Sequence, residues 1–273
     1  MLPPATRSTA GRVVHYDGTA GAAVSVEVAA EVPVNIVYAT LPFAVMMATP
    51  ADLEDFATGF SFTEGVVREP DEIRAIALTA QPLGILAEID LAPAALRRHM
   101  ARRRSLSGRT GCGLCGIESL EQLPAATPVR APPRPVGPAA IRRALGALDA
   151  AQTLHHATHA VHAAAWCDRD GGLLLLREDV GRHNALDKLI GACLRAGLAP
   201  DAGFVVLTSR CSFEMVEKAA AYGAATVVAI SAPTTLAIDR ALALGISLVA
   251  VARHDAAIRF TPGAVAASPP VPA

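Results

Sequence analysis

The sequence predicts an α/β protein: a mainly parallel sheet covered on both faces by helices, joined to a smaller N-terminal α+β part. Three observations point there. Short apolar runs end near Trp166, Leu176, Thr208, Ile230 and Val251. Helical patterns fill most of the gaps between them, at about 182–196, 212–222 and 234–245. Strands that are apolar throughout are those buried on both faces, as when helical crossovers link parallel neighbours. Finally, six prolines fall between Pro124 and Pro138. Proline can neither continue a helix nor donate to a central ladder, so this stretch reads as a linker between two parts.

Taken in order, residues 1–20 read as an N-terminal tail and 21–123 as the α+β part. Val24 to Tyr38 suggests two extended segments, with Pro33 at an edge or bend. Phe43 to Thr49 is another apolar run. Asp52 then starts a helix, as N-cap or first-turn acid, running to about Gly65 with Leu53, Phe56, Ala57 and Phe60 on one stripe. Ile85 to Leu91 alternates as a strand. Pro93 opens a basic helix toward Arg103, and the glycine-rich Leu106–Gly116 is a loop. After the linker at 124–138, an α/β domain spans 139–262, starting with a helix over about 139–150. Gly197, Gly223 and Gly245 stand at helix C′ positions. Residues 263–273 read as a C-terminal tail.

Composition excludes several classes. The chain has 273 residues, 52% apolar and 18% charged, which implies a packed core rather than disorder. A net charge of −1 gives no global field for nucleic acid. No apolar run reaches the roughly 18 residues of a membrane span, and the N-terminus has no signal-peptide core. An odd count of five cysteines argues against a disulfide framework. These features make secretion and a membrane partner unexpected. Arg97, Arg98, Arg102, Arg103, Arg104 and Arg109 cluster before the paired cysteines. They form either a solvated helix face or a guide for an anionic ligand or acidic partner.

The sharpest chemical motif is Thr110-Gly111-Cys112-Gly113-Leu114-Cys115-Gly116. Flanking glycines leave both sulfurs uncrowded, and the nearby arginines favour the nucleophilic thiolate. Such a thiolate can attack a donor persulfide and carry its outer sulfur. By residue chemistry alone, sulfur or redox work, half of a zinc site and a purely structural pair all remain open. No further ligands complete a metal site in this half of the chain.

Polar strings follow four predicted strands. Arg177-Glu178-Asp179-Val180-Gly181-Arg182-His183-Asn184-Ala185-Leu186-Asp187-Lys188 starts a helix. Asp179 can cap it, and Arg182 and His183 occupy a first turn where a cation is poorly placed unless an anion binds. The plain alternative is an exposed turn with Asp187 and Lys188 solvated. Thr208-Ser209-Arg210-Cys211-Ser212, Ser231-Ala232-Pro233-Thr234 and Val251-Ala252-Arg253-His254-Asp255-Ala256 follow the other three. Each alone is ordinary turn chemistry. Together, at one sheet edge, they suggest a shared nucleotide-like site. There is no Walker A pattern. His155, His156, His159 and His162 read as a satisfied or exposed cluster more readily than as metal ligands.

The CGLCG loop, the Glu-Asp-Val-Gly-Arg-His-Asn-Ala-Leu-Asp-Lys string, Ser-Phe-Glu-Met-Val-Glu-Lys-Ala from Ser212 and the Ala44–Gly65 segment together resemble the FdhD family of formate dehydrogenase accessory sulfurtransferases. The resemblance runs from about Glu31 to Phe260. It implies a cytidine-deaminase-like α/β domain, a homodimer and a cytoplasmic location. It further implies sulfur transfer from a cysteine desulfurase, through a persulfide, to the molybdenum bis(guanine dinucleotide) cofactor before insertion into formate dehydrogenase. Cys112 matches the persulfide cysteine and Cys115 its partner. Val251, Ala252, Arg253, His254, Asp255 and Ala256 match the contact with the guanine nucleotide part, where a nucleotide such as GDP would also fit. Arg210 and Ser231 would flank it, and no metal ligand is implied. Two departures stand out: Thr158-His159-Ala160-Val161-His162 replaces a Thr-Gly-Gly-x-His pattern, and Cys211 adds a thiol near the site. A non-catalytic chaperone of the cofactor or apoenzyme is the alternative.

Overall fold

The computed structural model describes residues 1–105 and 136–262. The N-terminal part begins with an antiparallel ribbon, β1 (Thr6–Arg12) on β2 (Ala23–Ala29). β1 lies in the stretch that composition reads as a tail. It carries almost no apolar residue, and its order comes from backbone pairing and a Ser8–Ser25 hydroxyl contact of 2.6 Å.

β3 (Val32–Tyr38), β4 (Leu41–Ala48), β5 (Ile73–Gln81) and β6 (Gly84–Leu91) form a second sheet in the order β4-β3-β6-β5. The expected alternation in β6 buries Ile85, Ala87, Ile89 and Leu91. Pro33 sits where β3 has joined β4 but not yet β6, the edge-like position expected of it. β5 has no counterpart in the sequence reading: it is an edge strand with no fully buried residue, so it leaves little apolar signal. α1 (Leu53–Thr63) packs Leu53, Phe56, Ala57 and Phe60 onto this sheet. Asp52 takes its N-cap position with φ of 53° but makes no side-chain cap. α2 (Pro93–Ser105) follows β6.

In the C-terminal part, α3 (Pro138–Ala151) and α4 (Thr153–Thr158) precede β7 (His162–Asp168), β8 (Leu173–Asp179), α5 (Arg182–Arg195), β9 (Gly203–Leu207), α6 (Phe213–Tyr222), β10 (Thr226–Ala229), α7 (Thr235–Leu244), β11 (Ser247–Ala250) and β12 (Ile258–Arg259). The sheet order is β12-β11-β10-β9-β7-β8. Its central ladders, β9-β10 and β10-β11, are parallel. β7 is antiparallel to both neighbours and β12 to β11. The sheet is therefore mixed rather than mainly parallel. β7 and β8 are joined by a turn too short for a crossover, yet both are apolar enough to read like parallel strands.

The two reversals at β7 cancel, so β8, β9, β10 and β11 all point the same way. Their carboxyl ends and the start of β7 share one edge, as pairing of His162 with Asp179 and Ala164 with Leu207 requires. α5, α6 and α7 cover one face, over Trp166, Val205, Leu207, Val227 and Leu248. α3 covers the other, over Phe204, Val206, Val228 and Val249. Gly197, Gly223 and Gly245 follow α5, α6 and α7 with φ of 65°, 94° and 72°, as their spacing predicts.

The two parts are joined where α1 crosses α5. A Cβ on Gly59 would lie 1.8 Å from the Asp187 carbonyl oxygen, and one on Gly191 would lie 1.9 Å from that of Asp55. Only glycine permits this approach. Beside the crossing, the buried Lys218 ammonium contacts Asp187 at 2.9 Å, Glu64 at 3.2 Å and the Thr63 hydroxyl at 2.9 Å.

Candidate functional site

The Glu178–Lys188 string divides between structure and site. Asp179 and Lys188 are completely buried and paired at 2.7 Å. The Asp179 carboxylate also accepts from the backbone N–H of Thr49 at 2.9 Å, that of Gly181 at 2.8 Å and the Asn184 amide at 3.0 Å. Lys188 donates to the Thr49 carbonyl at 2.9 Å. These residues fasten the end of β4 to the end of β8. Asp179 thus does not cap α5, whose N-cap is Gly181, and Asp187 and Lys188 are not solvated. Glu178, also buried, accepts from the first-turn N–H groups of Leu154 and His155 at 2.9 and 2.8 Å, capping α4 from outside. Sequence reading missed that role because the partners are distant in the chain.

Arg182 and His183 remain at the edge. Arg182 Nε is enclosed without a partner, as are His183 Nε2 and His155 Nδ1. His183 Nε2 lies 3.9 Å from Glu214 in the first turn of α6, beyond hydrogen-bond reach. Burial, with Arg182 beside it, holds the His183 pKa below its usual value. Burial also lowers that of His162, helped by Arg182, His155 and Arg210. Arg210 itself is exposed. His155 and His159 face each other at 5.4 Å between ring centroids, and no group of three or more metal-ligating side chains occurs among the described residues.

Cys211 is completely buried, and burial pushes its thiol up to about 12. Cys167 and Cys193 are likewise buried, each pushed up to about 12. None of the three is a nucleophile in this fold. Cys211 instead stitches the loops: its N–H donates to the Ala232 carbonyl at 3.2 Å and its carbonyl accepts from Thr234 at 3.0 Å.

The last loop is the most unusual. Val251 has φ of 52°, which a β-branched residue adopts at a cost of about 1–3 kcal/mol. It is held there by its N–H to the Ser231 carbonyl at 3.2 Å and by Ala252 N–H to the Ala229 carbonyl at 3.1 Å. The turn closes with Arg253 N–H on the Ala256 carbonyl at 2.7 Å, and the Arg253 guanidinium donates to the Ile230 carbonyl. It thereby sends Arg253, His254, Asp255 and Ala256 into a cavity of about 450 Å³. Pro138, Ile141 and Arg142 of α3 form the opposite wall, with Val249 and Arg259 from the strands. Three arginines, one histidine and one aspartate over an aliphatic floor suit an anionic ligand with a flat ring.

Of the residues expected to form one site, Arg253–Ala256 line this cavity, while Val251, Ala252 and Ser231 shape it through backbone bonds. Arg182, His183 and Arg210 lie elsewhere on the edge. Arg142 and Arg259 were missed, because an arginine within a helix or a short strand carries no motif; their shared side of the sheet emerges only from the topology. Cys112 and Cys115 lie outside the described residues. No described helix is long and apolar enough to cross a membrane.

Comparison with known proteins agrees with this architecture. The FdhD/NarQ family model matches residues 29–264. A protein from Bordetella petrii named sulfur carrier protein FdhD is 47% identical over 247 residues, covering 90% of this chain and 89% of its own. A protein of the same name from Xanthomonas euvesicatoria is 47% identical over 268 residues, covering 96% and 95%. A crystal structure from Desulfotalea psychrophila, described as a candidate formate dehydrogenase accessory protein, superposes with a TM-score of 0.75 at 26% identity, covering 95% of this chain and 98% of that one. With the match spanning both sheets and nearly half of the aligned positions identical to curated relatives, the chain belongs to the FdhD/NarQ family.

Proposed function

We propose that this protein is a sulfur carrier serving formate dehydrogenase. It accepts sulfur from a cysteine desulfurase as a persulfide on Cys112 and hands it to the molybdenum bis(guanine dinucleotide) cofactor before that cofactor enters the enzyme. The observation that carries the reading is the cavity walled by Arg142, Arg253 and Arg259. Its size and charge suit a guanine nucleotide with its diphosphate, and GDP is the fragment it should hold. The relatives' name, sulfur carrier protein FdhD, supplies the rest of the argument.

The chemistry balances without an outside oxidant. The Cys112 thiolate attacks the outer sulfur of the donor's persulfide, the S–S bond of the donor breaks, and the donor cysteine leaves as a thiolate. Cys112 then holds the sulfane sulfur. In the second step the outer sulfur passes to the cofactor as sulfide, with Cys115 attacking the inner sulfur of Cys112 and leaving a Cys112–Cys115 disulfide. A cellular dithiol reductant restores both thiols. The buried thiols Cys167, Cys193 and Cys211 take no part. Desulfurase, apoenzyme and a second copy of this chain are the expected partners, all in the cytoplasm.

The test is maturation of formate dehydrogenase in cells lacking their own carrier. Wild type should restore formate oxidation, while Cys112→Ala should not. Restoration by Cys112→Ala would instead favour a chaperone that only holds the cofactor.

A further inference from the structure

The β1–β2 ribbon has no core of its own. Neither strand contains a buried residue. β2 leans on α4, and no other described helix or strand packs extensively on the ribbon. A two-stranded ribbon left in water is marginal, so an ordered one needs cover. One of its faces is apolar. Val24, Val26 and Val28 alternate onto the same side of β2, and all three are exposed, Val26 by 49%. Opposite them stand Gly11, Thr9 and Arg7. Val13, whose N–H donates to the Ala22 carbonyl at 2.9 Å, extends the stripe by one pair. The same chain carries a surface that can receive it. α1 fills one face of the β4-β3-β6-β5 sheet, and no described helix packs extensively on the other. On that outer face Val45, Asn35, Leu86 and Thr79 make one row across the four strands. Val45 is 63% exposed, and Met47 beside it is exposed too. Glu88 and Asp90 follow on β6, both exposed. Among the described residues, no ion pair engages Arg7, Glu88 or Asp90.

We propose that the valine stripe of the β1–β2 ribbon lies across the outer sheet face of a second copy of this chain, which returns its own ribbon in exchange. The inference deepens the reading above by giving its second copy a place to dock, and it uses nothing of the sulfur chemistry. Shape and charge both select a copy of the chain. Seven residues at about 3.3 Å each make the ribbon about 23 Å long, and four strands at about 4.8 Å spacing make the sheet about 19 Å wide, so one spans the other. The unpaired cation sits on the ribbon and the unpaired carboxylates on the sheet, as complementary surfaces require. Arg7 placed against Glu88 and Asp90 of the partner subunit brings Val26 and Val24, about 7 and 13 Å further along, over β3 and β4, about 5 and 10 Å away. There they meet the partner's Val45 and Met47. A two-fold axis repeats the contact and closes the pair, so no further copy is recruited. Two such contacts cover roughly 1,000 Å² in all, the size at which a specific but reversible pair becomes possible.

Sedimentation equilibrium of the full-length protein tests this. Wild type should be a dimer at tens of micromolar. Val26→Asp on the ribbon and Val45→Asp on the sheet should each raise the dissociation constant by tenfold or more, with the circular dichroism spectrum unchanged because both positions are exposed. Arg7→Glu and Glu88→Arg should each weaken the dimer by roughly tenfold, and the two together should recover it. A ribbon folded back onto its own sheet is separated by mixing Val26→Cys chains with Val45→Cys chains, both carrying alanine at 112 and 115. Oxidation of the mixture should yield a disulfide-linked pair of chains. A monomeric wild type, a dimer that survives either aspartate variant, or a mixture that does not cross-link would each overturn the assignment. Sulfur loading on Cys112 is read separately by mass. A chain that loads sulfur as a monomer sinks this interface alone, and one that dimerises without loading sinks the carrier reading alone.

Discussion

Lys188 and Asp179 lie 2.7 Å apart, and neither has any exposed side-chain surface. Both belong to the most conspicuous charged string in the sequence, yet their work is architectural. Burial lowers the Lys188 pKa, and the Asp179 carboxylate opposes it. Removing one partner leaves the other charge uncompensated. Lys188→Met should therefore cost about 3–5 kcal/mol, read from urea unfolding. Pairing it with Asp179→Leu should recover part of that loss. A Lys188→Met single variant as stable as wild type would show that the pair is not what fastens β4 to β8.

The α1–α5 crossing gives a second stability prediction. Gly59→Ala or Gly191→Ala sets a methyl group against a backbone carbonyl, which cannot give way as a side-chain tip can. Each should cost about 1–3 kcal/mol. Calorimetry should show a melting temperature lower by roughly 2–4 °C per kcal/mol.

Acid should destabilise the protein through His162 and His183. Both have folded pKa values below the unfolded one. Below the unfolded value the denatured chain therefore binds more protons than the native one, and stability present at neutral pH is lost as pH falls through the lowered values. Chemical denaturation at pH 7.5 and 5.5 should show this fall, and the His162→Gln/His183→Gln double variant should show less of it. An equal fall in both proteins would assign the acid sensitivity to other groups.

The strand and helix succession of the C-terminal half was legible, down to the glycines after α5, α6 and α7. Each element there carries a complete apolar pattern. Strand direction was not: β7 and β8 are as apolar as the parallel strands, and only their short turn betrays the hairpin. β1 and β5 escaped notice because edge and ribbon strands take their order from backbone pairing. The site was legible in part. Arg253–Ala256 stood out both as a polar string after a strand and by resemblance, and they line a cavity, whereas Arg142 and Arg259 reach it from outside any motif. Burial decided the rest, turning Asp179 from a helix cap and Asp187 and Lys188 from solvated charges into scaffold, and Cys211 from a spare thiol into core.

Nucleotide binding should depend on the cavity arginines. Arg142→Gln and Arg253→Gln should each weaken GDP binding by about tenfold, the effect of one charge-assisted hydrogen bond, measured by calorimetric titration. Val251→Gly relieves the strained φ but frees the turn that aims Arg253, so it should leave the fold stable while weakening GDP. Unchanged affinity in both arginine variants would place the nucleotide elsewhere.

Sulfur loading on Cys112 is read most directly by intact-protein mass spectrometry after incubation with a cysteine desulfurase and cysteine. Wild type should gain the mass of one sulfur atom, lost again on treatment with a thiol reductant, and Cys112→Ala should gain none while Cys211→Ala loads like wild type. A wild-type protein that gains no sulfur, or a Cys112→Ala variant that gains it undiminished, would contradict the carrier assignment.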